Sequence, residues 1–250
     1  MINQEAYAEV ARRAVDRLIT TQRDAVAHAG RLVAEALAAG GVLQAYGTGH
    51  SRAVALELVG RAGGLIPANQ LAIRDLVYYG DSAPAEILDP LLERETGVAE
   101  RIWKLAEIHP ADVFVIASNS GGNAAVVEMA QLARSSGHGV VAITSLAHST
   151  RAATDRPGTP RLADLADVVI DNGAPWGDAG VALPDGAAIG PLSNLTGILA
   201  ANLLVAEVVG RRLEAGAPPL VFRSANTPGG YEHNAGLLAR YGGRVRLGDA

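Results

Sequence analysis

Gly47-Thr-Gly-His-Ser51 and Ser118-Asn-Ser-Gly-Gly-Asn123 are two places where small, hydroxyl and amide residues crowd together directly after an apolar run. Hydroxyl and amide side chains can donate hydrogen bonds to an anion, and glycines let the backbone approach it closely. Each stretch leads into a helical pattern, and a helix N-terminus favours negative charge. Capture of a phosphate or a similar anion is the chemistry that such a pair of turns suits. Neither turn contains a Lys or Arg clamp, so hydroxyls, backbone N–H groups and dipoles would hold the anion.

Other phosphate loops fail on spacing. Gly47-x-Gly49 begins like a dinucleotide fingerprint, but Arg52 stands where its third glycine is required, and no G-x-x-x-x-G-K-[ST] segment occurs. NAD and ATP are therefore disfavoured, and no cofactor is expected. The chain has no cysteine, which removes disulfides and thiolate chemistry. Its six histidines show no H-x-x-x-H or H-E-x-x-H spacing, so no metal site is expected. His50 stands in the first turn and His233 in a Gly-Gly-Tyr-Glu-His-Asn cluster. His109 and His138, beside proline and glycine, read as surface turns, and His148 precedes Ser149-Thr150. Glu57 falls in the second turn of the helix after the first loop, where it is either a functional carboxylate or a partner of Arg61 at i+4. Trp176 and Asp178 either shape a ligand pocket or simply pack their own loop.

These residues need elements to position them. Apolar residues recur at helical spacing from Gln4 to Ala39, with Thr20-Thr21 as the break between two helices. Residues 41–46 read as a short buried strand, and Gly63-Gly-Leu-Ile-Pro67 as a second. Residues 89–108 show helical spacing through Leu91, Val98, Ile102 and Leu105, closed by His109-Pro110. Strand, helix, strand and strand then follow at 112–117, 123–135, 139–144 and 167–171. A long helix from about Leu192 to Leu213, apolar most of the way round, comes after a Gly/Pro-rich stretch, and a loop with a short helix ends the sequence. Fully apolar strands alternating with helices predict a parallel sheet covered on both faces, a three-layer αβα sandwich of the doubly wound, flavodoxin-like kind with extra N-terminal helices. One domain is expected, with helices over 1–40, the α/β core over 41–215 and the terminal loop and helix over 216–250.

Composition bounds the partners. Of the 250 residues, 49% are hydrophobic and 19% charged, with a formal net charge of −5. Mild acidity without a basic run argues against nucleic acid and against an anionic membrane surface. The N-terminus lacks an apolar leader pattern, and no apolar segment reaches the roughly 18 residues of a membrane span, so a cytoplasmic protein is expected. A small-molecule ligand or a protein partner fits better.

The two turns, followed by the apolar strand Gly139-Val-Val-Ala-Ile-Thr144, resemble the SIS (sugar isomerase) fold, as do "DVVIDNGAPWGDA" and the terminal "FRSANTPGGYEHN". The similarity is strongest to a bacterial SIS-domain group related to phosphoheptose isomerase. It implies a phosphosugar site in which Ser51, Ser118, Ser120 and Asn123 match the phosphate-binding positions, with Gly49, His50 and Asn119 beside them. "ELVGR" at Glu57–Arg61 resembles the segment that supplies a glutamate base, with Glu93 and Glu95 in "LLERETG", which also resembles the family, as the alternatives. The histidine that the family carries on its long C-terminal helix has no counterpart here, which leaves His233 or His50 to act as the acid. The resemblance implies an aldose-ketose phosphosugar isomerase working through an enediol and assembled as a homodimer or a dimer of dimers. A lyase of the same fold that cleaves a sugar-acid ether, and a non-catalytic phosphosugar sensor, remain alternatives.

Overall fold

The computed structural model describes residues 2–154 and 158–247. Gln4–Thr21 (α1) and Arg23–Ala38 (α2) form the expected helix pair. Asn3 caps α1 by accepting from the Ala6 N–H, which satisfies one of the donors a helix start leaves free. Leu43–Gly47 (β1) leads through a 3₁₀ turn into the short helix Arg52–Glu57 (α3). Ala68–Leu71 (β2), Asp75–Tyr78 (α4) and Val98–Lys104 (α5) follow. Val113–Ala117 (β3), Ala124–Ser135 (α6) and Gly139–Thr144 (β4) come next. The chain continues through Leu146–Ala153 (α7), Leu162–Leu165 (α8) and Val168–Asp171 (β5).

The five parallel strands lie in the order β2-β1-β3-β4-β5. Side chains alternate across them, as a strand's period of two requires. Leu43, Ala45, Val113, Val115, Val141 and Ile143 join one buried cluster with α2 and α3; Tyr46, Phe114, Ile116, Val140 and Ala142 join a second with α5 and α6. The sheet is therefore covered on both faces, as expected.

Several sequence expectations give way to the structure. The second strand begins after Pro67; Leu65 instead bridges Val221 in antiparallel fashion, and Ile66 N–H donates to Leu220 O at 2.7 Å. Residues 89–108 do not form one helix, because Gly97 adopts φ +84° and starts α5 afresh; Leu91 is exposed while Leu92, in a separate 3₁₀ turn, is buried. His138 is no surface residue: it is buried beside Phe114 and Trp103, with Nδ1 3.0 Å from the Asp112 carbonyl. The Gly/Pro-rich stretch contains an antiparallel hairpin, Ala179–Ala182 (β6) with Ala188–Pro191 (β7).

Ser193–Glu214 (α9) has the length and mean hydropathy of a membrane span, contrary to the expectation from the sequence. In the fold, Ala200, Ala201, Leu204 and Val208 are buried in the first cluster, against α2 and α3. Gly230–Leu238 (α10) follows a loop that docks on residues 63–66.

Candidate functional site

In an open parallel sheet, a ligand crevice forms outside the C-terminal strand ends at the point where strand order reverses. That point lies between β1 and β3. A cavity of about 430 Å³ opens there, and both small-residue turns line it. Gly49, His50, Ser51, Ser118, Asn119, Ser120 and Asn123 all contribute. Glu93, His148, Asp178, Ser193 and Asn194 complete the wall.

Close backbone approach explains the glycines of the first turn. A Cβ on Gly47 would meet the Ser51 carbonyl oxygen at 2.6 Å. Gly49 adopts φ +52°, and a Cβ there would stand 3.2 Å from Glu93 Oε2. The turn thus packs its bare backbone against a carboxylate. Ser51 precedes α3 without capping it, so its hydroxyl is not committed to the helix. Ser120 likewise has no side-chain partner among the described residues. Ser118 is buried and shapes the second turn, its Oγ accepting from Gly121 N–H at 3.1 Å.

Asn123 departs from its expected use. Its Nδ2 donates to Glu93 Oε1 at 2.8 Å, so one of its amide hydrogens goes to a carboxylate. Glu93 in turn sits in the 3₁₀ turn Leu92–Arg94, half-buried between the first turn and the start of α6. Below it, the buried Tyr46 hydroxyl has no hydrogen-bond partner among the described residues. Burial first, then the carboxylates of Glu93, Glu128 and Asp75, push this phenol far above the ordinary tyrosine range. It stays protonated.

On the opposite wall, His148 comes from α7, whose N-cap Ser145 accepts from the His148 N–H at 3.0 Å. The Trp176 ring packs against the His148 ring at a tilt of 36°, with centroids 4.6 Å apart, and the Arg151 guanidinium lies 4.6 Å from the Trp176 ring centre. Asp178 adopts φ +68°, an uncommon conformation for a residue with a Cβ. Its carboxylate accepts from Ser193 N–H and Ser193 Oγ, both at 2.7 Å, and so fixes the start of α9 at the cavity edge.

Two sequence candidates fall elsewhere. Glu57 is absent from the cavity wall, and its carboxylate is occupied by the Arg61 guanidinium and by Asn202 Nδ2 at 2.8 Å. The i+4 pairing that the sequence allowed is the one formed. His233 lies on α10, its Nε2 3.2 Å from the Val221 carbonyl. Glu93 and His148 take their places at the cavity. The family-like segment Leu91–Gly97 offered Glu93 as the alternative base, and the cavity selects it over Glu57, whereas nothing in the local sequence marked His148. Among the described residues, no group of three or more His, Cys, Asp and Glu could hold a metal ion.

Residues 6–145 match the SIS domain. A UPF0309 protein of Listeria monocytogenes serovar 1/2a is 33% identical over 241 residues, which is 96% of this chain and 97% of that protein. Among solved structures, a phosphoheptose isomerase from Francisella tularensis superposes with TM-score 0.55 at 14% identity, covering 82% of this chain and 95% of that one. The NanR protein of Vibrio vulnificus, solved in complex with ManNAc-6P, gives TM-score 0.50 at 18% identity, covering 85% of this chain and 64% of that one. At these identities the structural likeness is one of fold.

Proposed function

The chain belongs to the SIS domain family, and on that premise we propose that it binds a sugar phosphate between its two serine-bearing turns and interconverts the aldose and ketose forms. One observation carries the reading. The seven polar and glycine residues of the two turns converge on a single cavity that also presents a carboxylate, Glu93. The V. vulnificus fold neighbour solved with ManNAc-6P supports the ligand class.

In this reading the phosphate meets the Ser51 and Ser120 hydroxyls and the N-terminal end of α6. Anchoring the phosphate away from the reacting carbons orients them and supplies binding energy for the transition state. Glu93 removes the proton from the carbon beside the carbonyl. That C–H electron pair becomes the enediol double bond, and Glu93 returns the proton to the neighbouring carbon. We assign the base to Glu93 and not to Glu57, because only Glu93 reaches the cavity. The exposed apolar side chains of α9, Leu195 and Leu213, suit the pairing of two copies through that helix, which is the homodimer proposed for this protein.

A panel of aldose and ketose phosphates incubated with the protein in deuterated water tests the reading, with exchange of the C2 proton followed by NMR. Exchange with conversion to the isomer is expected, and Glu93→Gln should slow it by about 100-fold or more. Glu57→Gln should stay within about threefold of wild type. Exchange that ends in loss of an ether substituent would favour the lyase. Binding without exchange would favour a sensor.

A further inference from the structure

The base needs an acidic partner, and the family's helix histidine is absent. The loop after β5 supplies a way to prepare another. The Ala174 N–H can only donate, and it donates to Asn172 Oδ1 at 2.9 Å. The orientation of the buried Asn172 amide is thereby set, and its Nδ2 donates to Asn119 Oδ1 at 3.3 Å. Asn119 must then turn its own Nδ2 outward, where it meets His148 Nδ1 at 3.5 Å. An amide nitrogen has no lone pair to offer, so Nδ1 accepts and the ring proton resides on Nε2. The tilted packing of Trp176 against the ring and the Ser145 cap hold the ring and its backbone. Ser145 Oγ also donates to the Ala174 carbonyl at 2.6 Å, tying His148 to the same loop that starts the relay.

We infer that His148 is the proton donor to the substrate's oxygens, held as the Nε2–H imidazole by the relay from Ala174 through Asn172 and Asn119. The inference rests on the isomerase reading above. As Glu93 takes the carbon-bound proton, the carbonyl π pair moves onto oxygen, which receives the Nε2 proton and becomes one enediol hydroxyl. The ring recovers a proton from the neighbouring hydroxyl as the new carbonyl forms there, so the cycle closes without any co-reactant. A neutral imidazole can polarise a carbonyl in this way. Asn119, Asn172 and Trp176 are positioning residues, acting through His148.

The full-length protein, labelled with ¹⁵N at histidine and observed without ligand at a pH of about 8, above the ordinary histidine range, gives the first test. His148 should show a bare Nδ1 and a protonated Nε2. His138 is an internal contrast, because its Nδ1 faces a carbonyl and must carry the proton. Asn119→Asp, which puts an acceptor beside His148 Nδ1, should move the proton to that nitrogen. A wild-type His148 protonated on Nδ1 overturns the relay, whatever the ligand.

The second test uses any panel sugar phosphate that wild type converts. His148→Ala should lower kcat by about 100-fold while KM changes less than about threefold, and His148→Gln, which keeps a donor, should recover part of the loss. An unchanged kcat in His148→Ala removes the donor role and leaves the isomerase reading intact. A wild-type protein that converts no panel member removes the isomerase reading and the donor role together, and the tautomer result stands apart from both.

Discussion

At the N-terminal ends of the strands, the fully buried Asp112 side chain accepts from Val42 N–H at 2.8 Å, Gln44 Nε2 at 2.9 Å, His109 N–H at 3.1 Å and the Arg244 guanidinium. Gln44 passes the chain on to Asn69, which accepts from Arg246 N–H at 2.9 Å and so pins the C-terminal tail under the sheet. At the opposite ends of β1 and β3, the Ser51 and Ser120 hydroxyls face a cavity with no side-chain partner among the described residues. Polar groups satisfied inside the protein hold its elements together; polar groups left open beside a cavity are available to a ligand. The same sheet thus closes its polar groups at one end and leaves them open to a cavity at the other.

Substitutions at the two ends should therefore separate stability from binding. The largest effect is expected from Asp112→Ala, which takes the carboxylate partner from the part-buried Arg244 guanidinium and leaves several buried donors unpaired. Denaturant unfolding should show a loss of about 3–5 kcal/mol. A loss below about 1 kcal/mol would mean that the closed end is not a structural clamp.

Ser120→Ala should do the reverse. Its unfolding free energy should stay within about 0.5 kcal/mol of wild type. Affinity for a sugar phosphate should fall by about 1.5–3 kcal/mol, the usual worth of a hydrogen bond to a charged group, as measured by titration calorimetry. A Ser120→Ala protein that binds normally would put the anion elsewhere in the cavity.

Gly49→Ala sharpens the contrast, because it strains the open end itself. The left-handed backbone and the contact with Glu93 should cost about 1–2 kcal/mol of stability and displace that carboxylate. Slower C2-proton exchange should accompany the lower melting temperature. The smallest effect is expected from Tyr46→Phe. The deleted hydroxyl is buried without a partner among the described residues, so thermal unfolding should show a gain of up to about 1 kcal/mol. A clear loss would show that Tyr46 makes a hydrogen bond to bound water.

The sequence disclosed regular elements well where one physical signal dominated. Strands β3 and β4 are almost wholly apolar and preceded by a proline or opened by a glycine, and α1 and α2 each show regular helical spacing on either side of Thr20-Thr21. Legibility failed where local pattern and tertiary pairing competed. Leu65 and Ile66 look like a strand in isolation, but their partner, around Val221, lies more than a hundred residues away. The β6–β7 hairpin was hidden by its glycines and prolines. At the site, the turns that touch the cavity through consecutive residues were readable, because a strand-to-helix junction announces itself. Glu93 was legible only through the family resemblance of its segment, and His148 not at all, because each reaches the cavity only through the packing of α5, α6 and α7 around the sheet. Conversely, Glu57 shares the first turn's helix, yet its carboxylate turns to Arg61 and Asn202.

Thermal unfolding of the wild type beside the double variant Ser51→Ala, Ser120→Ala, each with and without a panel of sugar phosphates, tests the central claim most directly. At a ligand concentration a hundredfold above its dissociation constant, the wild type should gain about 2.7 kcal/mol and melt at a visibly higher temperature. The double variant should melt like the ligand-free wild type whether or not the ligand is present. A wild type that no sugar phosphate stabilises, or a double variant stabilised to the same degree, would contradict the assignment of the open end of the sheet as a sugar-phosphate site.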